Sequence, residues 1–428
     1  IDTVNRGFNG GFETGFREFT STGNDAAVGA YGLLAGTAIA FMLKPFGLKD
    51  PQRIFASNES LDLHNAKWEA NGGNINKFVD DYVESLSGFN PTDKGADNQG
   101  YVKIKDAHKD IIKEDLKTLA DTSLSKKDRK VVEKRLKARL LEATGADNQL
   151  KLKHGNKVIE ADSATVLDDF FRLTKAFREK ASSVSSEKLV SRIKSFGKYR
   201  AVLGLGLAMA ISCATQPINV YLTKKRTGSD GFAGMPDRKK DNTNTFKMMK
   251  LGAAASMAAL ALATMKAKPS QVLSKIMYKA PIPSMDQIKA LFGATIISRM
   301  LVARDRDELA ESSRKDMLGF VNWLLIGNLI NKGVLMGAQD KKNPVIRVSE
   351  TDKNKKGIKG AFARFFNSTT ASRREVLVEG LQKEGKSAIK ANGTAKTLTE
   401  MLKELPKNSV ARKNIKLLNI AQGINYAY

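Results

Sequence analysis

Apolar positions in this chain gather into five stretches that are poor in charge and bordered at or near most of their ends by Lys or Arg. The clearest runs from Ala201 to Leu222 without a charge, behind Lys198 and Arg200 and ahead of Lys224, Lys225 and Arg226. At the α-helical rise of about 1.5 Å per residue, a helix of that length would cross the hydrocarbon core of a bilayer. A first stretch, Ala26 to Leu43, is also uncharged and carries Gly32 and Gly36 in the G-x-x-x-G spacing that lets a second helix backbone approach. Leu251 to Met265 is Ala-rich and shorter than the roughly 20 residues a span needs, so it reads as a re-entrant or surface helix, or else, with the two stretches after it, as a buried helix of a soluble bundle. Arg299 interrupts the fourth, Ala290 to Ala303, which reads as an interfacial or core helix. The fifth runs from Met317 to Asn331 and on through Gly333 to Gln339; Asn322, Asn328 and Asn331 punctuate it, and Trp323 suits a membrane interface.

Inside the second stretch Pro217 has no backbone N–H to donate, which predicts a kink. Ser212, Cys213, Thr215 and Gln216 lie close by, and polar groups of this kind can occupy the carbonyls that such a proline frees. Gln216, Pro217, Asn322 and Asn328 are therefore read as packing or kink residues, with buried asparagines bonding across to a neighbouring helix.

Between the first two apolar stretches the pattern is polar and mostly helical. Val166, Phe170, Leu173 and Phe177 are spaced four, three and four, an amphipathic stripe with Ser163 placed to cap it. Lys113 to Leu141 reads as one charge-dense helix with a solvated face. The pentapeptide Gly-Ala-Asp-Asn-Gln occurs at 95–99 and again at 145–149, each time before alternating apolar and Lys residues. That alternation predicts short strands at 102–105 and 150–153, the second turning at Gly155 and Asn156 into Val158 and Ile159 as a hairpin. Further helices are expected near Arg374 to Ala388, Thr397 to Leu405 and Val410 to Ile424.

Charge changes the picture of partners. Lys and Arg number 71 against 45 Asp and Glu, a formal net charge of +26, which favours anionic surfaces. The region 341–428 concentrates this excess, but its aromatic residues are not interleaved with its charges as single-strand binding would want. Anionic lipid head groups fit better than nucleic acid; a homo-oligomeric or other protein partner stays open. Two basic loops, 223–250 and 266–289, stand at opposite ends of the third apolar stretch, and both prefer the cytoplasmic side if that stretch does not span. The one cysteine, Cys213, excludes an intrachain disulfide framework. His64, His108 and His154 are too far apart for helical zinc spacing, so no metal or other cofactor is expected. The chain opens at Ile1, which reads as processed or partial, and residues 1–25 lack the basic start of a secretory signal.

One motif suggests chemistry. Gly380 to Ser387 matches the phosphate-cradling G-x-x-x-x-G-K-[ST] pattern, in which Gly380, Gly385, Lys386 and Ser387 would hold phosphate and magnesium, with 376–378 as the preceding strand. Its setting argues against this: too little chain follows for a parallel sheet, no apolar run ending in Asp appears, and Val376, Leu377 and Leu381 also form the inward stripe of a plain helix. The charged run from Arg304 to Asp316 reads as a solvated helix start with local ion pairs, and no Ser, His and Asp grouping stands out.

The expectation is a mainly α-helical, multi-segment membrane protein with a polar helical domain and a small β-hairpin. Its domains are read as 1–48 with the first apolar helix, 49–199 polar and helical, 200–340 an apolar helix cluster, and 341–428 basic and cytoplasmic. A non-catalytic membrane scaffold is favoured over a transporter or pore, and both over a nucleotide-binding protein using 380–387.

Overall fold

The computed structural model describes residues 54–121, 123–180, 184–228, 240–265, 267–276, 284–340 and 343–427. Helices dominate, with one four-stranded antiparallel sheet and one two-stranded pair. The first apolar stretch, with Gly32 and Gly36, lies outside the described residues. Two compact units divide the chain: Asn58–Arg192 with Gly327–Tyr428, and Ile1–Ser57 with Ile193–Ile326.

In the Asn58–Arg192 part of its unit, helices α1 (Asn58–Ala70) and α2 (Ile75–Ser85) precede strands β1 (Leu86–Phe89) and β2 (Tyr101–Lys103). Then come α3 (Asp106–Leu119), α4 (Lys126–Thr144), the strands β3 (Leu150–His154) and β4 (Lys157–Ala161), and α5 (Ser163–Lys180). The strand order is β2-β1-β3-β4, antiparallel throughout. The expected hairpin is β3–β4, paired from Leu150↔Ala161 to His154↔Lys157, with Gly155 at φ 56° in the two-residue turn. Leu150 and Leu152 are buried while Lys153 is exposed, the alternation that marked the strand. β1, which that pattern did not mark, lies between β2 and β3.

The stripe Val166, Phe170, Leu173 and Phe177 is buried, and Phe78 and Phe170 stack with centroids 5.8 Å apart, as do Trp68 and Phe177 at 5.6 Å. Capping differs from expectation. Asp162 caps α5 by accepting from Thr165 N–H at 2.9 Å, whereas the Ser163 hydroxyl donates to the Asp147 carboxylate. The helix expected over 113–141 is two helices, α3 and α4, with Ser125 capping the second and Gly145 closing it at φ 72°. The pentapeptide copies part ways: Asp97 accepts from Gln99 and Tyr101 N–H groups, while in the second copy the N–H groups of Asp147 and Asn148 donate to Glu375.

The Gly327–Tyr428 part of the same unit holds α10 (Gly327–Ala338), β5 (Ile346–Arg347), α11 (Gly357–Phe366), β6 (Thr369–Thr370), α12 (Arg373–Lys383), α13 (Leu398–Glu404) and α14 (Val410–Ala427). α12 and α13 are held at their starts by capping boxes, Ser372 with Glu375 and Thr397 with Glu400. Val376, Leu377, Val378, Leu381, Met401 and Ala421 share one apolar core. Arg347, almost fully buried, reaches several elements: it donates to the Gly145 carbonyl at 2.8 Å and to Glu379, and lies 3.7 Å from Glu375.

The other unit consists mainly of α6 (Ser186–Thr227, entering the unit at Ile193), α7 (Asn244–Thr264), α8 (Met285–Val302) and α9 (Arg306–Val321), followed by a π-turn over Asn322–Ile326. α7 and α8 pack as antiparallel neighbours around Phe246, Met257, Ala261, Ile296 and Met300. A Cβ on Gly293 would fall 3.2 Å from that of Ala261, so the glycine permits the close approach. Each helix end is covered by a lysine of the other. Lys250 donates to the carbonyls of Leu301 and Ala303 at 3.0 and 3.3 Å, and Lys289 to that of Thr264 at 2.9 Å.

Candidate membrane interface

The third apolar stretch is part of a longer helix than its own composition suggested. Thr243 caps the helix by accepting from Phe246 N–H, so α7 begins at Asn244, ahead of Lys247 and Lys250, and runs 21 residues. That corrects the expectation of a piece too short to span. Among the described residues α7 is the one helix long and apolar enough to cross a membrane, by length and composition alone, and 22% of its apolar window is buried. Met248 and Leu251 are 68% and 57% exposed, and Ala255 and Ala259 are exposed along the same helix. An apolar helix of a water-soluble core would bury most of that surface.

The uncharged run 201–222 lies within α6, which continues helically through Pro217. Tyr199, Val202, Leu203, Ile218, Tyr221 and Leu222 are exposed on it. Proline removes the N–H that would bond the carbonyl four residues back, here that of Cys213. The Ser298 hydroxyl of α8 donates to this carbonyl at 2.7 Å, and Ser298 is buried. The Cys213 carbonyl thus has a donor on another helix. Ser298→Ala is expected to cost about 1–3 kcal/mol, since it leaves the carbonyl without its partner. Adding Pro217→Ala restores an N–H in the helix and should recover most of the loss; denaturant titration of the single and double variants reads both.

Charges in this unit are paired as in a bundle. Arg299, which broke the fourth stretch, lies 3.0 Å from Asp316 of α9, and more than a third of α8 is buried, in keeping with a core helix. Arg304 pairs with Glu308 at 2.9 Å and Asp305 caps α9, as expected of a helix start. Asn322 opens the π-turn, and its Oδ1 is buried with no hydrogen-bond partner among the described residues. The backbones of Gln216 and Asn328 are helical; their side chains lie outside the described residues.

Residues 380–387 take up a geometry unlike a phosphate cradle. Val376 to Val378, the expected strand, belong to α12, and Gly380 is inside that helix, its Cβ position 2.6 Å from the Ala411 side chain of α14. Gly385, at φ 68°, turns the chain just after the helix C-terminus, where the dipole is negative and repels phosphate. Backbone N–H groups there are engaged internally: Gly385 to Gln382, Lys386 to Leu381 and Ala388 to Glu142. Lys386 Nζ donates to the Glu404 carbonyl at 2.8 Å and Ser387 Oγ to Glu142 at 2.7 Å. Cradling needs a loop opening a helix with its N–H groups unengaged.

The fold also assembles a Ser, His and Asp cluster that linear spacing hid. Ser60 Oγ donates to Asp169 Oδ2 at 2.6 Å and lies 3.3 Å from His64 Nδ1; His64 Nε2 lies 3.3 Å from the Tyr82 hydroxyl. All four are buried, and Asp169 bonds the serine, not the histidine, so the arrangement lacks the order of a catalytic triad. Burial lowers the His64 pKa to about 4 and raises that of Asp169 to about 8, the latter partly offset by the Ser60 hydrogen bond. Ser60 and His64 are four apart on α1, a signal visible in sequence, but Asp169 comes from α5. Among the described residues no group of three or more His, Cys, Asp or Glu is placed to hold a metal.

No family model, curated protein or solved structure matches this chain.

Proposed function

We propose that this is a non-catalytic, membrane-associated scaffold protein that engages the bilayer through its apolar helices. The observation that carries this reading is the exposed apolar face of α7. The uncharged run within α6 adds exposed apolar side chains on a second helix, and the lysines that cover the helix ends of the α7–α8 pair have long apolar stems suited to an interface. The net charge of +26 and the basic 341–428 region favour anionic head groups, with that region on the cytoplasmic side.

Carbonate extraction and membrane flotation of the full chain test the reading, alongside Ala255→Arg/Ala259→Arg. Both alanines are exposed, so arginine there costs little in water but about 2.5–3.5 kcal/mol each near the centre of a bilayer. Retention of the parent chain and its loss in the variant is the expected result. Complete release of the parent chain would sink the proposal and make the apolar helices the faces of a soluble assembly.

A further inference from the structure

We propose that α11 is an interfacial anchor that lies flat in the head-group layer of an anionic bilayer. The inference rests on the membrane reading above and adds a second point of contact, in the other unit. At ten residues the helix is about 15 Å long, far too short to span.

Its outer row is apolar. Ile358, Phe362 and Phe366 recur every four residues, the spacing of one helix face, and are 78%, 58% and 47% exposed. Phe362 and Phe366 stack with centroids 5.8 Å apart and planes within 3°, and Phe365 meets Phe366 edge-on at 5.2 Å. Large apolar side chains exposed singly are ordinary; a row of three with stacked rings marks an interaction surface.

The helix is fixed from behind, so the row is presented and not merely loose. Gly360 packs so tightly that a Cβ would fall 2.1 Å from the Lys355 carbonyl oxygen. Lys332 of α10 donates to the carbonyls of Phe365 and Ser368 at 3.2 and 2.7 Å, covering the C-terminal end. Arg364 donates to the Lys355 carbonyl at 2.6 Å, and Asn367 to Asp352 at 3.1 Å.

Charge identifies the partner. Around the row stand Lys353, Lys355, Lys356, Lys359 and Arg364, against Glu350 and Asp352. The two acids are taken by Lys353 and Lys355, each at 2.6 Å. Lys356 and Lys359 are exposed and form no ion pair among the described residues. An aromatic row on a convex helix flanked by unneutralised lysines is the pattern of helices that bury one face at the acyl boundary and hold lipid phosphates with the other. Single-stranded nucleic acid instead wants its aromatics along a basic groove.

The test uses the full chain with Cys213→Ser and Ala361→Cys, labelled at Cys with an environment-sensitive NBD probe. Residue 361 is exposed beside Phe362 and Phe365, so the anchoring side chains stay intact. Vesicles of phosphatidylcholine, with or without phosphatidylserine, are added, and flotation is measured in parallel. The expected result is a blue shift, quenched by brominated lipid, that requires phosphatidylserine. Lys356→Gln/Lys359→Gln should weaken it roughly thirtyfold, at about 1 kcal/mol per charge. Phe362→Ser/Phe366→Ser should abolish it with an unchanged far-ultraviolet spectrum. A chain that floats with no shift at the probe overturns the anchor and leaves the membrane reading standing, whereas neither flotation nor shift defeats both. A shift that grows with protein concentration without vesicles assigns the row to a second copy, and one produced by an oligonucleotide but not by vesicles assigns it to nucleic acid; either overturns the proposal.

Discussion

Replacing Arg347 with methionine is expected to remove about 3–5 kcal/mol from the stability of its unit, the effect typical of deleting one partner of a buried charge pair. Arg347 is 2% exposed. Without it the buried Glu375 and the partly exposed Glu379 lose their shared cation, and the carbonyl of Gly145 loses a donor. Burial already pushes the Glu379 carboxyl above its ordinary value, against the pull of Arg347, so removing the arginine strengthens the bias toward the protonated acid. Glu375 also accepts from Asp147 and Asn148 at 2.6 and 3.2 Å, so the variant loosens the join between Asn58–Arg192 and Gly327–Tyr428 as well as the local strand. Urea unfolding should show a lower midpoint, and limited proteolysis should open the segment around 343–356 first. A change under about 1 kcal/mol would mean that water replaces the guanidinium, and that the ion cluster adds nothing to stability.

A second large effect concerns pH. Between about pH 4 and 8 the folded cluster around Ser60 holds one proton, on Asp169, with His64 neutral. In the unfolded chain the pair also holds one proton from about 4 up to the ordinary histidine value of 6.5, but on His64. Folded and unfolded states therefore bind equal numbers up to about 6.5, and stability is flat. From there to about 8 the folded state holds one proton more, so stability falls as pH rises, by about 2 kcal/mol. The charged groups beside the pair are Lys67 on α1, bound to Asp81 of α2, and Asp162, Asp168 and Arg172 next to Asp169. Asp169→Asn removes the fall above 6.5 and uncovers the histidine, giving stability that climbs by about 3 kcal/mol between pH 4 and 6.5. Thermal unfolding at several pH values measures both slopes; parallel curves for parent and variant would show that Asp169 does not carry the proton.

Much of the architecture could be read from local pattern where one residue set had one physical use. The stripe Val166 to Phe177 and the alternation at Leu150 to Lys153 each face a core on one side, so periodicity marks them. Reading failed where a cap lay outside the apolar run: Thr243 starts α7 ahead of two lysines, which made a spanning-length helix look short. It failed again where partners were remote in sequence. Arg347 sits in a basic stretch and looks like one surface charge among many, and nothing near it marks Glu375, Glu379 or Gly145 as its ligands. The 380–387 string itself says nothing about which end of a helix it occupies, so in the sequence only its setting speaks against a phosphate site. The exposed row on α11 was present as Ile358, Phe362 and Phe366, but only burial separates an outward stripe from an inward one.

The hydroxyl of Ser298 reaches a carbonyl 85 residues earlier in the chain. At ribosomal speeds of about 5–20 residues per second, roughly 4–17 s pass between synthesis of the two. During that interval the helix through Pro217 carries an acceptor with no helical donor, tolerable against water and costly in hydrocarbon. The order of synthesis thus runs against early burial of this segment by itself: it is best committed to an apolar environment together with Met285–Val302, as a late and joint step of biogenesis.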